Sequence, residues 1–392
     1  MIFKFRDYRL RYFNLRILLY VGILCFAGVQ FVGSATALTA DSSSTMTKQL
    51  LGILMGVVLM IIVSLIDYHF LLKNSPLLYL ASAGLLLFIR FFGATYNNST
   101  RWIELSAGGF NVSLQPSEFI KIFLIVVFAA FFSRKASQEK ISKPLTVLEA
   151  LGMLLLPMGL ILLQPDLSTS LVVLVIFAFM FFAAGVSFKW VGAALGTLGA
   201  GIAAVLIYVT RFVDRSNVPN YQIKRIIAWL DPTAYPDIVY QQTNSVMAIG
   251  NGGLSGKGLF NTTLETVKSG NYLSEQDTDF IFAVVGEEVG FIGSCAIIGL
   301  LLLLIMDCLY MAYRAKDLAG RLICVGFASL IGFQSFVNIS VATGIIPNTG
   351  LPLPFISAGL SSLISLFMGL GLVLNVGMQR EVSRSSQGRY DS

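Results

Sequence analysis

Charge is what this 392-residue chain has least of. Asp, Glu, Lys and Arg make up 12% of it, and it holds a single histidine; soluble domains carry about 25% charged residues. So few charges cannot cover the surface of a water-soluble globule of this size, and soluble domains are excluded. Disordered and collagen-like classes are excluded by the same apolar composition. Cysteine is scarce too. Cys25, Cys295, Cys308 and Cys324 all fall inside apolar runs, where they read as small core residues rather than a disulfide framework. A nucleotide-binding loop is lacking as well. The segment Gly250-Asn251-Gly252-Gly253-Leu254-Ser255-Gly256-Lys257-Gly258 resembles a Walker A loop only superficially. Asn251 stands where its first glycine should be, and Gly258 replaces the Ser or Thr that would hold magnesium.

What is present is apolar sequence. Hydrophobic residues make up 56% of the chain and its mean hydropathy is +0.78, which predicts an all-α polytopic membrane protein. A helix needs about 20 apolar residues to cross the hydrocarbon core. Ten such runs begin near Ile17, Gln49, Pro76, Ser117, Val147, Ser168, Trp190, Asp279, Ala319 and Pro354. The predicted organisation is a basic tail (1–16), a ten-helix domain (17–378) with a long loop at about 211–278 between spans seven and eight, and a second tail (379–392). The first run reads as a span rather than a signal peptide, since no small-residue cleavage site leads from it into a soluble chain.

Of the 27 Lys and Arg, 17 fall on the side of the two tails and 8 on the other, most of those 8 in the one long loop. The positive-inside rule then puts both termini in the cytoplasm and the loops 96–115 and 211–278 outside. Chemistry in those loops cannot use cytosolic ATP. The net charge of +6 sits in short loops between apolar runs and does not point to nucleic acid.

Ionisable residues within or beside the spans are expensive and so are functional candidates. Gln115-Pro116-Ser117-Glu118 opens the fourth span, and Glu118 and Lys121, three apart, share a helix face. They are either an ion pair pinning two helices or the lining of a polar cavity. Asp166, in the tight connection between spans five and six, is either a helix cap or a site residue. Glu287 and Glu288 point about 100° apart on the eighth span, so at least one must face the bundle. The densest acidic cluster, Glu275-Gln276-Asp277-Thr278-Asp279, lies where the long loop meets that span. Asp279 there is either an N-cap or a general base, its pKa set by burial against the helix dipole. Lys224 and Arg225, among apolar and aromatic neighbours, suit an interfacial helix touching phosphate. The glycine-rich 250–258 segment allows either close approach to a ligand or a flexible turn. The Pro- and Gly-rich connection 344–354 must pack in protein or line a cavity if it lies at membrane depth.

Six segments in register resemble the SEDS family (shape, elongation, division and sporulation), which includes RodA, FtsW and SpoVE. They are Leu114–Lys121 (LQPSEFIK), Gln164–Ser170 (QPDLSTS), Ala248–Gly258 (AIGNGGLSGKG), Thr278–Phe282 (TDFIF), Gly286–Gly290 (GEEVG) and Thr343–Ser357 (TGIIPNTGLPLPFIS). Two stretches depart from the family pattern. Ser357-Ala358-Gly359-Leu360-Ser361-Ser362 stands for its usual Ser-Tyr-Gly-Gly-Ser-Ser, and Ser274-Glu275-Gln276-Asp277 for its usual Pro-Glu-Ala-His. The second change keeps Glu275 and adds a carboxylate two residues from Asp279, which is expected to raise its pKa.

The resemblance implies a ten-helix peptidoglycan glycosyltransferase in the cytoplasmic membrane that polymerises lipid II on the outer face. It implies Asp279 as catalytic base and Glu118 and Lys121 at a central cavity, with Gln115, Ser117, Asp166, Glu275 and Glu288 as further substrate-binding candidates. Charge and location add Lys224 and Arg225 as pyrophosphate contacts. The implied reaction is inverting and uses a divalent cation, Mg²⁺ or Mn²⁺, whose ligands the sequence leaves unassigned. The implied partners are lipid II, the undecaprenyl-pyrophosphate-linked glycan and a class B penicillin-binding protein that supplies transpeptidation. The rival readings are a transporter or lipid flippase, whose broken helices and buried charges look similar, and a non-catalytic scaffold of a cell-wall synthase.

Overall fold

The computed structural model describes residues 13–379 apart from 38–41, 97–98, 108–109, 212, 214–220, 262–265, 267–272 and 274. Most of both tails, and those parts of the 211–278 loop, therefore lie outside the described residues. The membrane-crossing helices are α1 (Leu15–Thr36), α2 (Ser42–Leu65), α4 (Ser75–Phe92), α5 (Pro116–Ser137), α6 (Pro144–Leu162), α7 (Leu167–Ala183), α8 (Phe188–Arg211), α11 (Ile281–Arg314), α12 (Leu318–Ala342) and α13 (Leu360–Met378). Among the described residues, nine of these are long and apolar enough to span a bilayer, and α7, at 17 residues, is the tenth, shorter one. Three further helices connect them: α3 (Tyr68–Lys73), α9 (Tyr221–Leu230) and α10 (Pro236–Gly252). The chain is a multi-pass membrane protein.

The helix starts follow local chemistry. Asn14 and Asp166 place side-chain oxygens on the free amides of Arg16 and Thr169, and Asp317 does so for Gly320. Proline opens α5, α6 and α10, where its missing N–H would have had no helical partner anyway. Helices α5, α12 and α13 are buried along most of their length and form the centre. By contrast α2, α4 and α6 keep broad apolar faces exposed, as lipid-facing helices do.

Three features depart from the sequence reading. The 96–115 loop carries a three-stranded antiparallel sheet of β1 (Ala94–Tyr96), β2 (Ser99–Ala107) and β3 (Phe110–Leu114), with Ile103 paired to Leu114. The tenth span begins at Leu360 rather than near Pro354. Its approach is irregular, and Phe355 there has a positive φ of 63°.

The third departure is a break in the eighth span at Gly290 (φ 64°, ψ −164°). The 250–258 segment mends it. The amides of Lys257 and Gly258 donate to the carbonyls of Glu287 and Glu288 (both 2.9 Å), and the amides of Phe291 and Ile292 donate back to Gly253 (2.9 Å) and Leu254 (3.1 Å). A Cβ on Gly290 would lie 2.3 Å from the Gly256 nitrogen, so both the angle and the contact demand glycine. The glycine-rich segment is thus neither a ligand cradle nor a loose turn. It is a backbone splint that satisfies the groups freed by the break.

Candidate active site

Asp279 lies in the turn just before α11, outside the spanning segments and partly exposed. The N-cap position of α11 is Phe280, and no side chain caps it. The capping role therefore does not hold for Asp279, and its carboxylate is available for something else. Its main chain is tightly fixed. Its carbonyl accepts from Asn338 Nδ2 (2.8 Å) of α12. The neighbouring carbonyls of Thr278 and Asp277 accept from Ser357 Oγ (2.7 Å) and the Ala358 amide (2.8 Å). The carboxylate abuts Gly350, where a Cβ would sit 3.1 Å from Oδ2 and where φ is +78°.

Burial pushes the Asp279 pKa up to about 7, and Glu275 and Asp277 push the same way, while Arg225 and Arg101 pull it down. The extra carboxylate Asp277 thus acts in the expected direction, although burial and Glu275 weigh more. Glu275 and Asp277 are themselves raised, burial being the main cause for both. A carboxyl group with a pKa near neutrality is suited to proton transfer at physiological pH.

The helix ends around Asp279 meet through polar contacts. Arg225 Nη1 on α9 donates to the Asn348 carbonyl (3.1 Å). Ser168 Oγ, in the first turn of α7, donates to the Thr349 carbonyl. Asp166 keeps its cap and also receives Arg101: the guanidinium lies 3.6 Å from Oδ2 and donates to the carbonyls of Gln164 (3.3 Å) and Pro165 (2.7 Å). Gln115 Nε2 reaches the same carboxylate at 3.5 Å, and the Gln115 backbone N–H donates to Ser361 Oγ (2.8 Å). Ser361 is one of the serines retained where the last motif departs from the family pattern. Gln115, Asp166, Arg225 and Glu275 therefore gather with Asp279 at one end of the bundle.

Glu118 and Lys121 pair at 2.7 Å on the first two turns of α5, both almost wholly buried. Among the described residues, Glu118 Oε2 and the hydroxyl of adjacent Ser117, both buried, have no hydrogen-bond partner. A buried ion pair usually has its remaining oxygens hydrogen-bonded as well, which sets this pair apart from an ordinary structural one. Two candidates are placed elsewhere. Lys224 lies over the Tyr235 ring, 5.9 Å from its centroid. Glu288, more than two turns along α11 from Asp279, accepts from Ser34 Oγ of α1, while Glu287 pairs with Lys257 of the splint at 3.3 Å.

Sequence reasoning missed Arg101, Asn338, Gly350 and Ser357. Arg101 lies on β2 of the unforeseen sheet, and the pattern Thr100-Arg101-Trp102-Ile103 ahead of Gly108-Gly109 was the available signal for a hairpin.

Among the described residues, no three His, Cys, Asp or Glu side chains form a group that could hold a metal ion by themselves. Magnesium commonly binds through one or two carboxylates plus substrate phosphates. The described residues therefore offer no closed protein site, and a cation there would be held chiefly by substrate phosphates.

A family model described as cell cycle protein (FtsW, RodA, SpoVE) matches residues 9–382. A probable peptidoglycan glycosyltransferase FtsW of Trichlorobacter lovleyi is 35% identical over 95% of this chain and 94% of its own. The peptidoglycan glycosyltransferase MrdB of Escherichia coli K12 is 33% identical over 87% of this chain and 88% of its own. Among solved structures, a chain from work on the coordination of polymerization and crosslinking by a peptidoglycan synthase complex superposes with a TM-score of 0.75 at 27% identity. It covers 97% of this chain and 99% of that one. The rod shape determining protein RodA of Thermus thermophilus superposes with a TM-score of 0.67 at 26% identity, over 95% of this chain and 98% of that one.

Proposed function

The chain belongs to the FtsW, RodA and SpoVE family of cell cycle proteins and is a peptidoglycan glycosyltransferase; from that premise we propose that it polymerises lipid II, with Asp279 as general base. The observation that carries this reading is the Asp279 carboxylate, partly exposed at the end of a membrane bundle and set against Gly350. Its main chain is fixed by Asn338 and its neighbour's by Ser357, and Arg101 and Arg225 act on it.

In this mechanism Asp279 takes the proton of the acceptor sugar's 4-hydroxyl. The freed oxygen attacks the anomeric carbon of the lipid-linked donor from the face opposite the leaving group, which inverts that centre, and undecaprenyl pyrophosphate departs. Arg101 and Arg225 offset the charge growing on the pyrophosphate; a guanidinium suits it because it can donate two parallel hydrogen bonds. Asp166, itself reached by Gln115, and the carbonyls of Gln164 and Pro165 hold Arg101 in place, and the buried Glu118–Lys121 pair with Ser117 adds polar groups on α5. A bound Mg²⁺ or Mn²⁺ would neutralise pyrophosphate charge.

The excess of Lys and Arg at the far end of the bundle supports placing both termini in the cytoplasm and Asp279 at the outer face, where lipid II is consumed. The similar chain from a peptidoglycan synthase complex that coordinates polymerization and crosslinking supports a crosslinking partner, for which the family resemblance suggests a class B penicillin-binding protein.

The test uses purified protein and lipid II in detergent, where no membrane separates two compartments. Glycan ladders on a gel, absent from Asp279→Asn and weakened by a chelator, are the expected result. A wild-type protein that makes no polymer, alone or with its transpeptidase, would instead favour a flippase or a scaffold.

A further inference from the structure

The base proposed above needs a fixed position, and one buried side chain stands out as the group that fixes it. Asn338, near the outer end of α12, is 1% exposed. Its Nδ2 donates to two carbonyls at once, that of Asp279 (2.8 Å) and that of Leu351 (2.8 Å). Two acceptors facing one end of the amide settle which end is the nitrogen, because only that end carries two hydrogens. The Oδ1 end is buried and has no hydrogen-bond partner among the described residues. Bridging two carbonyls at the expense of its own oxygen is a cost that a purely packing residue would avoid.

The two carbonyls belong to segments that nothing covalent joins locally. One carries the base. The other is the irregular 343–359 connection, which places Gly350 against the carboxylate and Asn348 against Arg225. Ser357 makes a second stitch between them, donating to the Thr278 carbonyl (2.7 Å) and accepting from the Leu353 amide (2.8 Å). Asn338 anchors this pair of segments to a central membrane helix.

We propose that Asn338 is a positioning residue for the glycosyltransferase reaction: it locks the backbone of Asp279 to the 343–359 connection and so sets the distance of the carboxylate from Gly350 and from Arg225. This rests on Asp279 being the base. Without the lock, the carboxylate swings between buried and wetted positions, so it spends less time in reach of the acceptor hydroxyl and titrates differently.

The experiment compares Asn338→Leu, Asn338→Gln, Ser357→Ala and Asp279→Asn with wild type as purified proteins in detergent, using lipid II polymerisation from pH 5.5 to 9 together with thermal melting. Asn338→Leu is expected to lower kcat roughly tenfold or more with KM changed less than about threefold. The acid limb of its residual rate should move down by about half a unit or more, because a wetted carboxylate ionises more easily. Asn338→Gln, which keeps two donors on a longer arm, should recover part of the rate. A loss of rate in Asn338→Leu that leaves the acid limb where it was would mean a merely structural role and overturn the proposal, as would wild-type rates. If Asn338→Leu does not purify as a monodisperse protein, Ser357→Ala decides alone: a smaller shift of the same limb supports the lock, and an unmoved limb overturns it. Activity retained in Asp279→Asn would fail the base assignment itself, a different outcome from any of these.

Discussion

The two ends of the bundle both hold carboxylates beside irregular backbone, and they treat them in opposite ways. At the end away from Asp279, the chain's one histidine sits between two acids. His69 Nδ1 lies 2.9 Å from Asp67 and Nε2 2.8 Å from Asp317, which also accepts from the buried Tyr68 hydroxyl at 2.9 Å. Gln379 Nε2 joins Asp67 to Asn375 of α13, and Asn375 in turn accepts from the Tyr68 amide. Burial pushes Asp67 and Asp317 up, but hydrogen bonds, foremost those from His69, outweigh it and leave both below the ordinary carboxylate range. His69 is raised in turn, chiefly by its hydrogen bond to Asp317.

Asp279 has the reverse balance. Acidic neighbours add to the effect of burial, and the arginines only partly oppose them. The lesson is that burial raises all three acids alike, and the partners around each decide which way the balance falls. One end uses its acids to tie α3, α12 and α13 together. The other keeps an acid poised to exchange a proton.

The sharpest way to break this contrast is to neutralise one acid at each end. Asp279→Asn should lower the polymerisation rate by about 10²–10⁴-fold, the usual worth of a positioned general base. Asp317→Asn should leave the rate within about threefold of wild type, since it touches no group near the reaction. Equal losses in a product-gel assay would erase the distinction between the ends. Next in size, Arg101→Ala and Arg225→Ala should each lower kcat/KM roughly tenfold, the effect of losing one charge-assisted contact of about 1.5 kcal/mol. Arg134, whose guanidinium donates to the Leu72 carbonyl at the far end, serves as the control that should not respond.

Melting temperatures should show the opposite ranking. Asp317→Asn removes interactions worth about 1 kcal/mol after allowance for the half-exposed histidine, and it should melt lower. Asp279→Asn should melt slightly higher than wild type above pH 7. A carboxyl raised in the folded state favours folding while protonated, and its ionisation as pH climbs toward about 7 draws stability away; asparagine has nothing to ionise.

The far-end network has its own window. The lowered Asp67 and Asp317 contribute fully above their ordinary value of 3.8 and lose that contribution as pH falls through their folded values. The raised His69 contributes fully below 6.5 and loses it as pH climbs through its higher folded value. His69→Gln should therefore narrow its deficit to wild type at alkaline pH. A deficit that grows instead, in melts from pH 6 to 9, would show that the histidine is not held as a cation.

The spans were legible because the bilayer imposes a length that composition reveals, and the register of Pro116 and Asp166 with helix starts followed from helix-start chemistry. Contacts between segments remote in sequence were not. Asn338 lies 59 residues from Asp279, and no local pattern in α12 sets it apart from other buried polar residues. Arg101 needed the hairpin to aim it. The direction of Glu288 was open because two adjacent glutamates divide between faces that periodicity cannot rank, and the break at Gly290 with its splint then decided the matter. The glycine run 250–258 looked like a loop for a ligand, yet its ligand is the chain's own broken helix.

The most direct measurement is the pH dependence of kcat/KM for lipid II polymerisation, wild type beside Asp279→Asn. A base held near neutrality must be ionised to act, so the wild-type rate should be low at pH 5.5, climb with unit slope and level off above about pH 7.5, while the variant stays low and flat across the range. A variant that keeps the wild-type rate, or the same rising limb at comparable height, would contradict the account.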